Sequence, residues 1–284
     1  MSKYKESIMK TIFFVAACTS ILAVALICLF LFINGIPAMT KIGIFDFLMG
    51  TTWKPNNTPP SFGILPMILG SIYVTAGAAV IGVPIGILTA VFMAHYCPPK
   101  LYRILKPAIN LLAGIPSIVY GFFGLVVIVP FIRDTFGGAG SSMLAASILL
   151  GIMILPTIVG ISESAIRAIP QSYYEGALAL GASHERSTFF VVLPAAKSGI
   201  MAAIVLGIGR AIGETMAVIM VAGNQARMPA GLLKGVRTLT ANIIIEMGYA
   251  AELHREALIA TGVVLFVFIL IINLLLSLLK RRTG

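Results

Sequence analysis

The chain has 284 residues, of which 59% are apolar and only 11% charged, and its mean hydropathy is +1.03. A soluble domain carries roughly 25% charged residues, so the composition excludes a soluble domain and places the chain among polytopic membrane proteins. The formal charge of +10 is spread over short polar connections instead of one patch, which argues for membrane topology and against nucleic acid.

In chain order, Met1–Lys10 is polar and basic, and Thr11–Ile33 is an uninterrupted apolar run long enough to span a bilayer with some tilt. It lacks a small-residue cleavage site behind a short core, so it reads as a signal anchor and not a removed signal peptide. Asn34–Phe62, with Trp53, Lys54 and several prolines, reads as an external or partly interfacial loop. The second span is Gly63–Tyr96, broken by Pro66 and Pro84, and Pro98–Lys106 after it is a basic turn. The third is Pro107–Ile132, where Gly114-Ile-Pro116 and the glycines at 121 and 124 predict a bend or interruption; a kinked helix in ordinary close packing fits those residues as well as a pathway does. Ser142–Ser162 is the fourth span, Gly199–Ala222 the fifth and Ala257–Leu279 the sixth. The polar segment Gly223–Glu256 separates the last two, and Glu246, Glu252 and Glu256 read there as solvated charges. Arg227, Lys234 and Arg237 read likewise, with an external anion or acidic partner as the alternative. The expected fold is an all-α membrane protein with six transmembrane helices. It divides into an N-terminus (1–10), a first helix with its loop (11–62) and a core (63–284).

Six spans put both termini on one side. That side then holds Lys3, Lys5, Lys10, Lys100, Arg103, Lys106, Arg167, Arg186, Lys197, Lys280, Arg281 and Arg282. The other holds Lys41, Lys54, Arg133, Arg227, Lys234, Arg237 and Arg255, mostly in its two long segments. The positive-inside rule places the termini and the polar stretch between spans four and five in the cytoplasm.

That stretch has an ordered pattern of its own. Glu175-Gly176-Ala177 is followed after three residues by Gly181 and after nine more by Val191-Val192-Leu193-Pro194. Tyr173, Ala177 and Leu180 recur at helical spacing, as do Tyr174 and Leu178. Glu175 suits the first turn of a helix, Gly181 is placed to stop it, and Ser183 is placed to cap a second one beginning at His184. The unit reads as a helix-turn-helix outside the bilayer, either a docking element or a loop packed on its own membrane helices.

In the fifth span, Arg210 and Glu214 are four residues apart, on one face of a continuous helix. Arg210 is the one basic residue inside a predicted span, near the middle of a hydrocarbon core about 30 Å thick. Such a charge faces a partner or a wet cavity and commonly marks a transport path, and a guanidinium suits a tetrahedral oxyanion. A buried Arg210–Glu214 pair that fixes helix packing accounts for the same spacing. Gly207, Gly209 and Gly213 miss the dinucleotide-binding spacing and follow no strand; Gly209 and Gly213 instead form a small-residue contact face. His95, His184 and His254 are far apart and share no metal pattern, the three cysteines lack ligand spacing, and no Walker A sequence occurs. No cofactor is expected, and ATP chemistry would fall to a separate polypeptide.

The spacing from Glu175 to Pro194 resembles the EAA loop of ABC importer permeases, with Gly176 in place of the second alanine and Val191 in place of isoleucine. In that family the loop forms short cytoplasmic helices that fit a cleft on the ATPase, which implies ATPase docking for Glu175, Gly176, Ala177, Gly181, His184, Glu185, Leu193 and Pro194, within a loop at 163–198. The stretches LLAGIPSIVYGFFGL, IPQSYYEGALALGAS, VVLPAAKSGI, LGIGRAIGETMAVIMVAGN and RTLTANIIIEMGYA together are similar to the permeases of phosphate ABC importers, the PstC type. The resemblance implies a MetI-like permease architecture at the inner membrane. It also implies a second, PstA-type permease, a PstB-type ATPase dimer and an extracytoplasmic PstS-type phosphate-binding protein, with Arg210 and Glu214 on the translocation path. The competing functions are the same machine for sulfate or molybdate, an ion-coupled secondary transporter, and a sensor subunit that carries no flux.

Overall fold

The computed structural model describes residues 2–283, with side chains described from 5 to 275 and at Leu278; the side chains of Lys3, Lys280, Arg281 and Arg282, used in the topology argument, lie outside them. Helix α1 (Ser2–Ile42) runs into the short α2 (Ile44–Met49). A two-stranded ribbon, β1 (Trp53–Lys54) and β2 (Ser61–Phe62), leads to α3 (Leu65–Val91), which closes in a π-helical turn at Phe92–Tyr96. Then come α4 (Pro99–Gly114), α5 (Ser117–Phe123) and α6 (Val129–Phe136), the last two joined by a π turn at Gly124–Ile128. Helix α7 (Met143–Arg167) precedes α8 (Gln171–Ala179) and α9 (His184–Ser187), and a third π turn, Thr188–Val192, joins α9 to α10 (Leu193–Ala195). Helices α11 (Lys197–Gly213), α12 (Met216–Val221), α13 (Leu239–Met247) and α14 (Glu252–Thr283) follow.

Five runs are long and apolar enough to cross a membrane: Lys5–Ile42, Leu65–Tyr96, Ser117–Phe136, Met143–Arg167 and Glu252–Leu275. A sixth crossing comes with a bent pair, in which His184–Ala195 meets Lys197–Gly213 at 70°. The chain is a multi-pass membrane protein. Several boundaries differ from those expected. Helix α1 continues past Ile33 to Ile42 because Gly35 lets it lie against Ala260 and Val263 of α14. Pro66 starts α3 instead of breaking it, since a first-turn residue has no intrahelical N–H bond to lose, and Pro84 sits inside the helix without ending it. The expected basic turn Pro98–Lys106 is the first half of α4. The interruption of the third crossing does occur: α4 stops at Gly114, Ile115 is extended, and Pro116 caps α5, so the crossing begins at Ser117.

The core is built on α7, whose Leu149, Leu150, Ile154 and Ile158 are buried between α3 and the shorter helices. Helices α3 and α7 approach along a glycine seam. A Cβ on Gly82 would lie 2.7 Å from the Gly151 carbonyl and 2.7 Å from Ile154, and one on Gly86 2.7 Å from Ile158. Lipid tails are as apolar as leucine, so close packing between small residues is what holds membrane helices together.

At the end of the molecule that carries the ribbon, one buried carboxylate joins four segments. Glu246 of α13 accepts from Trp53 Nε1 (2.8 Å), Arg237 Nη1 (2.5 Å) and His254 Nε2 (2.8 Å). Arg237 also reaches Asn242 Oδ1 and the Asn224 carbonyl. Glu246 and Arg237 are therefore internal, not the solvated charges expected, because their partners lie in remote segments that local polarity does not reveal. Glu256 pairs with Lys41 at the surface, while Glu252, Arg227 and Lys234 are exposed as expected.

Two outcomes follow from this packing. Gly82→Leu should separate α3 from α7 and destabilise the protein by about 1–3 kcal/mol, read as a lower thermal-aggregation midpoint in detergent. Glu246→Ala should cost about 3–5 kcal/mol, the range for stranding one member of a buried ion pair, whereas Glu256→Ala should shift the same midpoint little.

Candidate functional site

The fifth crossing is not a continuous helix. Helix α11 ends at Gly213, Glu214 is extended (φ −71, ψ 132), and α12 starts at Met216. The sequence supplies both the break and its repair. Gly213 carries a low helix propensity, and the Glu214 carboxylate takes up amides at the start of α12, accepting from Thr215 N (3.0 Å) and Ala217 N (3.3 Å). Thr240 of α13 donates its hydroxyl to the Glu214 carbonyl at 3.1 Å, and the Thr215 hydroxyl donates to the Gly213 carbonyl at 3.3 Å.

The break parts the two residues that a continuous helix would have stacked. Glu214 is directed to backbone amides, and no Arg210–Glu214 ion pair forms, so the alternative of a pair that fixes helix packing does not hold. Arg210 lies in the last turn of α11, where a cation complements the helix C-terminus. Its Nη1 reaches the Thr157 hydroxyl of α7 at 3.4 Å, a long contact. It is exposed, on a face shared with Leu206, Gly213 and Met216. Arg210 makes no ion pair among the described residues.

The second feature is the α8–α9 turn. Helix α8 ends in a two-bond cap: Gly181 N donates to the Leu178 carbonyl (2.9 Å) and Ala182 N to the Ala177 carbonyl (3.1 Å). That geometry needs a left-handed residue, which Gly181 supplies at φ +86. Ser183 then caps α9, its hydroxyl accepting from Arg186 N at 3.3 Å. Glu175, Gly176, Gly181, Glu185 and Pro194 face outward, whereas Ala177, His184 and Leu193 are half-buried. His184 turns inward, its Nδ1 hydrogen-bonded to the Tyr174 hydroxyl. Leu180 at the tip is 91% exposed and Phe190 75%, two apolar contacts that the motif does not include.

A second buried carboxylate, missed in the sequence, anchors this end. Glu163 of α7 accepts from Tyr102 (2.7 Å), Lys106 (2.5 Å) and Arg167 (2.8 Å). Arg167 also donates to the Met93 carbonyl at 2.7 Å and lies 4.5 Å from the centre of the Tyr102 ring. Acceptance by Glu163, then burial, raises the Tyr102 phenol above its ordinary pKa, so the hydroxyl remains a donor. One signal was available, an acid four residues before Arg167 at a helix end; its other partners are 57 and 61 residues away. His95 and His184, unrelated by spacing, line one cavity, and no metal-ligand cluster occurs among the described residues.

Residues 82–284 match the family described as binding-protein-dependent transport system inner membrane component. The chain is 41% identical over 274 residues to the probable ABC transporter permease protein YqgH of Bacillus subtilis, covering 93% of this chain and 89% of that one. It is 36% identical over 279 residues to the phosphate transport system permease protein PstC of Mesorhizobium japonicum, covering 89% and 84%. Among solved structures, the inward-facing MetNI methionine ABC transporter matches with a TM-score of 0.63 at 22% identity, covering 78% of this chain and 96% of that one. A bacterial alginate ABC transporter matches at 0.65 and 15%, covering 95% and 94%. These structural likenesses carry the fold, MetI-like and predominantly helical. By the extent of both matches, the chain belongs to the binding-protein-dependent transport system inner membrane components, the permease subunits of ABC importers.

Proposed function

We propose that this permease translocates inorganic phosphate, with Arg210 as the transient anion contact at the break in the fifth crossing. The observation that carries the proposal is an exposed guanidinium beside an interrupted transmembrane helix, with no carboxylate holding it. Broken helices recur at transporter binding sites because irregular backbone is tolerated where it lines a cavity. The choice of phosphate is supported by the PstC-type relatives, at 31–36% identity in several organisms.

The outward face of Leu206, Arg210, Gly213 and Met216 meets a second, PstA-type permease, so the path runs between two permeases. A PstS-type binding protein delivers phosphate at the ribbon end. A PstB-type ATPase dimer receives the exposed Glu175, Gly176, Gly181, Glu185 and Pro194, with Ala177, His184 and Leu193 holding the α8–α9 unit in shape behind them. The positive-inside count puts this end and both termini in the cytoplasm. ATP binding then moves α8 and α9, and the permeases alternate the side to which Arg210 opens.

Radiolabelled phosphate uptake into vesicles holding the full complex tests this. Arg210→Gln should lower ATP-dependent uptake about ten- to hundredfold, the scale of lost hydrogen bonds to a charged group, while the subunits still co-purify. Arg210→Lys should recover part of the rate, since a lysine keeps the charge and loses the fork. Undiminished uptake by Arg210→Gln would remove Arg210 from the path, and transport of sulfate or molybdate in place of phosphate would overturn the substrate.

The docking turn has its own test. Gly181→Ala forces a side chain into a left-handed conformation at about 1–2 kcal/mol, and uptake per ATP hydrolysed should fall. Gly176→Ala should be tolerated or mildly stabilising, because nothing lies within 4 Å of the added Cβ.

A further inference from the structure

Behind α8 and α9 lies a cavity of ≈ 350 Å³ that the proposed path does not use. Polar side chains reach it from four elements: the π turn closing α3 through His95, the end of α7 through Arg167, the start of α8 through Gln171 and Tyr174, and α9 through His184, with Val192 of the third π turn also lining it. The side-chain groups it offers are a guanidinium, two imidazoles, a phenol and the Gln171 amide. His95 Nε2 is buried and has no hydrogen-bond partner. Arg167 uses Nε on Glu163 and Nη2 on the Met93 carbonyl, and its Nη1 makes no hydrogen bond among the described residues. The Tyr174 hydroxyl and His184 Nδ1 share a hydrogen bond; in the tautomer in which the phenol donates, the imidazole carries its proton on Nε2 and offers a donor there. The nine-residue α8 starts at the cavity wall, so its unpaired first amides add partial positive charge there.

No carboxylate lines this space. Glu163 is committed to Tyr102, Lys106 and Arg167, and Glu175 accepts from Gln171. A buried polar group without a partner calls for an explanation, and here it stands among a guanidinium, a second imidazole and a helix N-terminus, the set that charge-assisted binding of an oxyanion uses.

We propose that this cavity is a second oxyanion site, distinct from the Arg210 path, which takes a tetrahedral phosphate group and clamps α8 and α9 to the ends of α3 and α7. A ligand that bridges the four elements resists motion of the α8–α9 unit, so occupancy slows transport: anion accumulating on this side throttles its own import. Inorganic phosphate as the ligand rests on the transport function proposed above; the site itself stands without it. A phospholipid phosphomonoester offers the same chemistry, and the test separates the two sources.

The membrane complex of permeases and ATPases, purified without the binding protein and carrying Arg210→Gln to silence the path, would be placed in phosphatidylcholine nanodiscs and titrated with radiolabelled inorganic phosphate in the absence of ATP. Saturable binding is expected, about tenfold weaker in His95→Phe, the loss of one hydrogen bond to a charged group, and abolished by Ala94→Leu, which fills the cavity without removing a donor. In proteoliposomes with wild-type Arg210, phosphate trapped on the α8–α9 side should slow uptake by the otherwise unaltered transporter, while His95→Phe and Ala94→Leu escape that inhibition and match its rate when the lumen is empty. Equal inhibition of all three, or no saturable binding, overturns the site. Saturable binding of labelled phosphatidate that is lost in Ala94→Leu and is not displaced by inorganic phosphate assigns the cavity to a lipid headgroup and overturns feedback by phosphate. Because binding is read with Arg210 removed, failure of the Arg210 path and failure of this site give different results.

Discussion

Hydrocarbon offers backbone amides and carbonyls no partner, and each unpaired group costs several kcal/mol. Any departure from helix inside the bilayer must therefore be repaired by side chains, and the break between α11 and α12 shows how. The Glu214 carboxylate serves the first amides of α12, while Thr240 and Thr215 serve the Glu214 and Gly213 carbonyls. Glu214 Oε1 takes both amides, and Glu214 forms no ion pair with Arg210. That single commitment leaves a cation, held by one long contact to Thr157, on the outward face of the chain.

The two ends of the molecule are held differently from its middle. Glu163 draws α4, α7 and, through Arg167, the π turn of α3 together; Glu246 does the same for the ribbon, α13 and α14. Magnitudes decide which charges matter: an exposed pair such as Lys41–Glu256 is worth about 0–1 kcal/mol, whereas stranding a buried partner costs about 3–5 kcal/mol. The glycine seam between α3 and α7 links the ends with a close-packed spine. Against that spine, α8 and α9 are attached through half-buried side chains such as Tyr174 and His184 while their outer faces stay bare, an arrangement suited to an element that receives force.

Much of this was legible in the sequence, for local reasons. Long apolar runs announce membrane helices; Gly181 and Ser183 mark the end of α8 and the start of α9 because a left-handed cap and a hydroxyl cap are choices made within a few residues. Gly114-Ile-Pro116 announced the interruption of the third crossing for the same reason. What stayed hidden depends on distant partners. Trp53 lies 193 residues from Glu246, so nothing near Glu246 distinguishes it from a solvated acid. The break at Glu214 was hidden more subtly. Arg210 and Glu214 at i and i+4 imitate a helix-stabilising pair, and the tertiary contact from Thr240 tips the local competition toward capping. The resemblance to phosphate permeases implied a path role for both residues, but it could not say how either side chain is engaged.

On the proposed path, that freedom changes the energetics of passage. Had Glu214 held Arg210, an arriving phosphate would have had to displace a carboxylate and leave it unpaired. With Glu214 turned to α12, the anion displaces only a long hydroxyl contact and water, so entry needs no counter-charge to be expelled. One hydrogen-bonded cation contributes about 1.5–3 kcal/mol, enough to offset part of the cost of drawing a charge from water and too little to trap it. Covering the Leu206–Met216 face with a second permease would lower the local dielectric and strengthen the contact, and rocking that face open again would weaken it. Affinity at Arg210 would then follow the closure of the interface, which is the dependence that alternating access requires of a site that must both bind and let go.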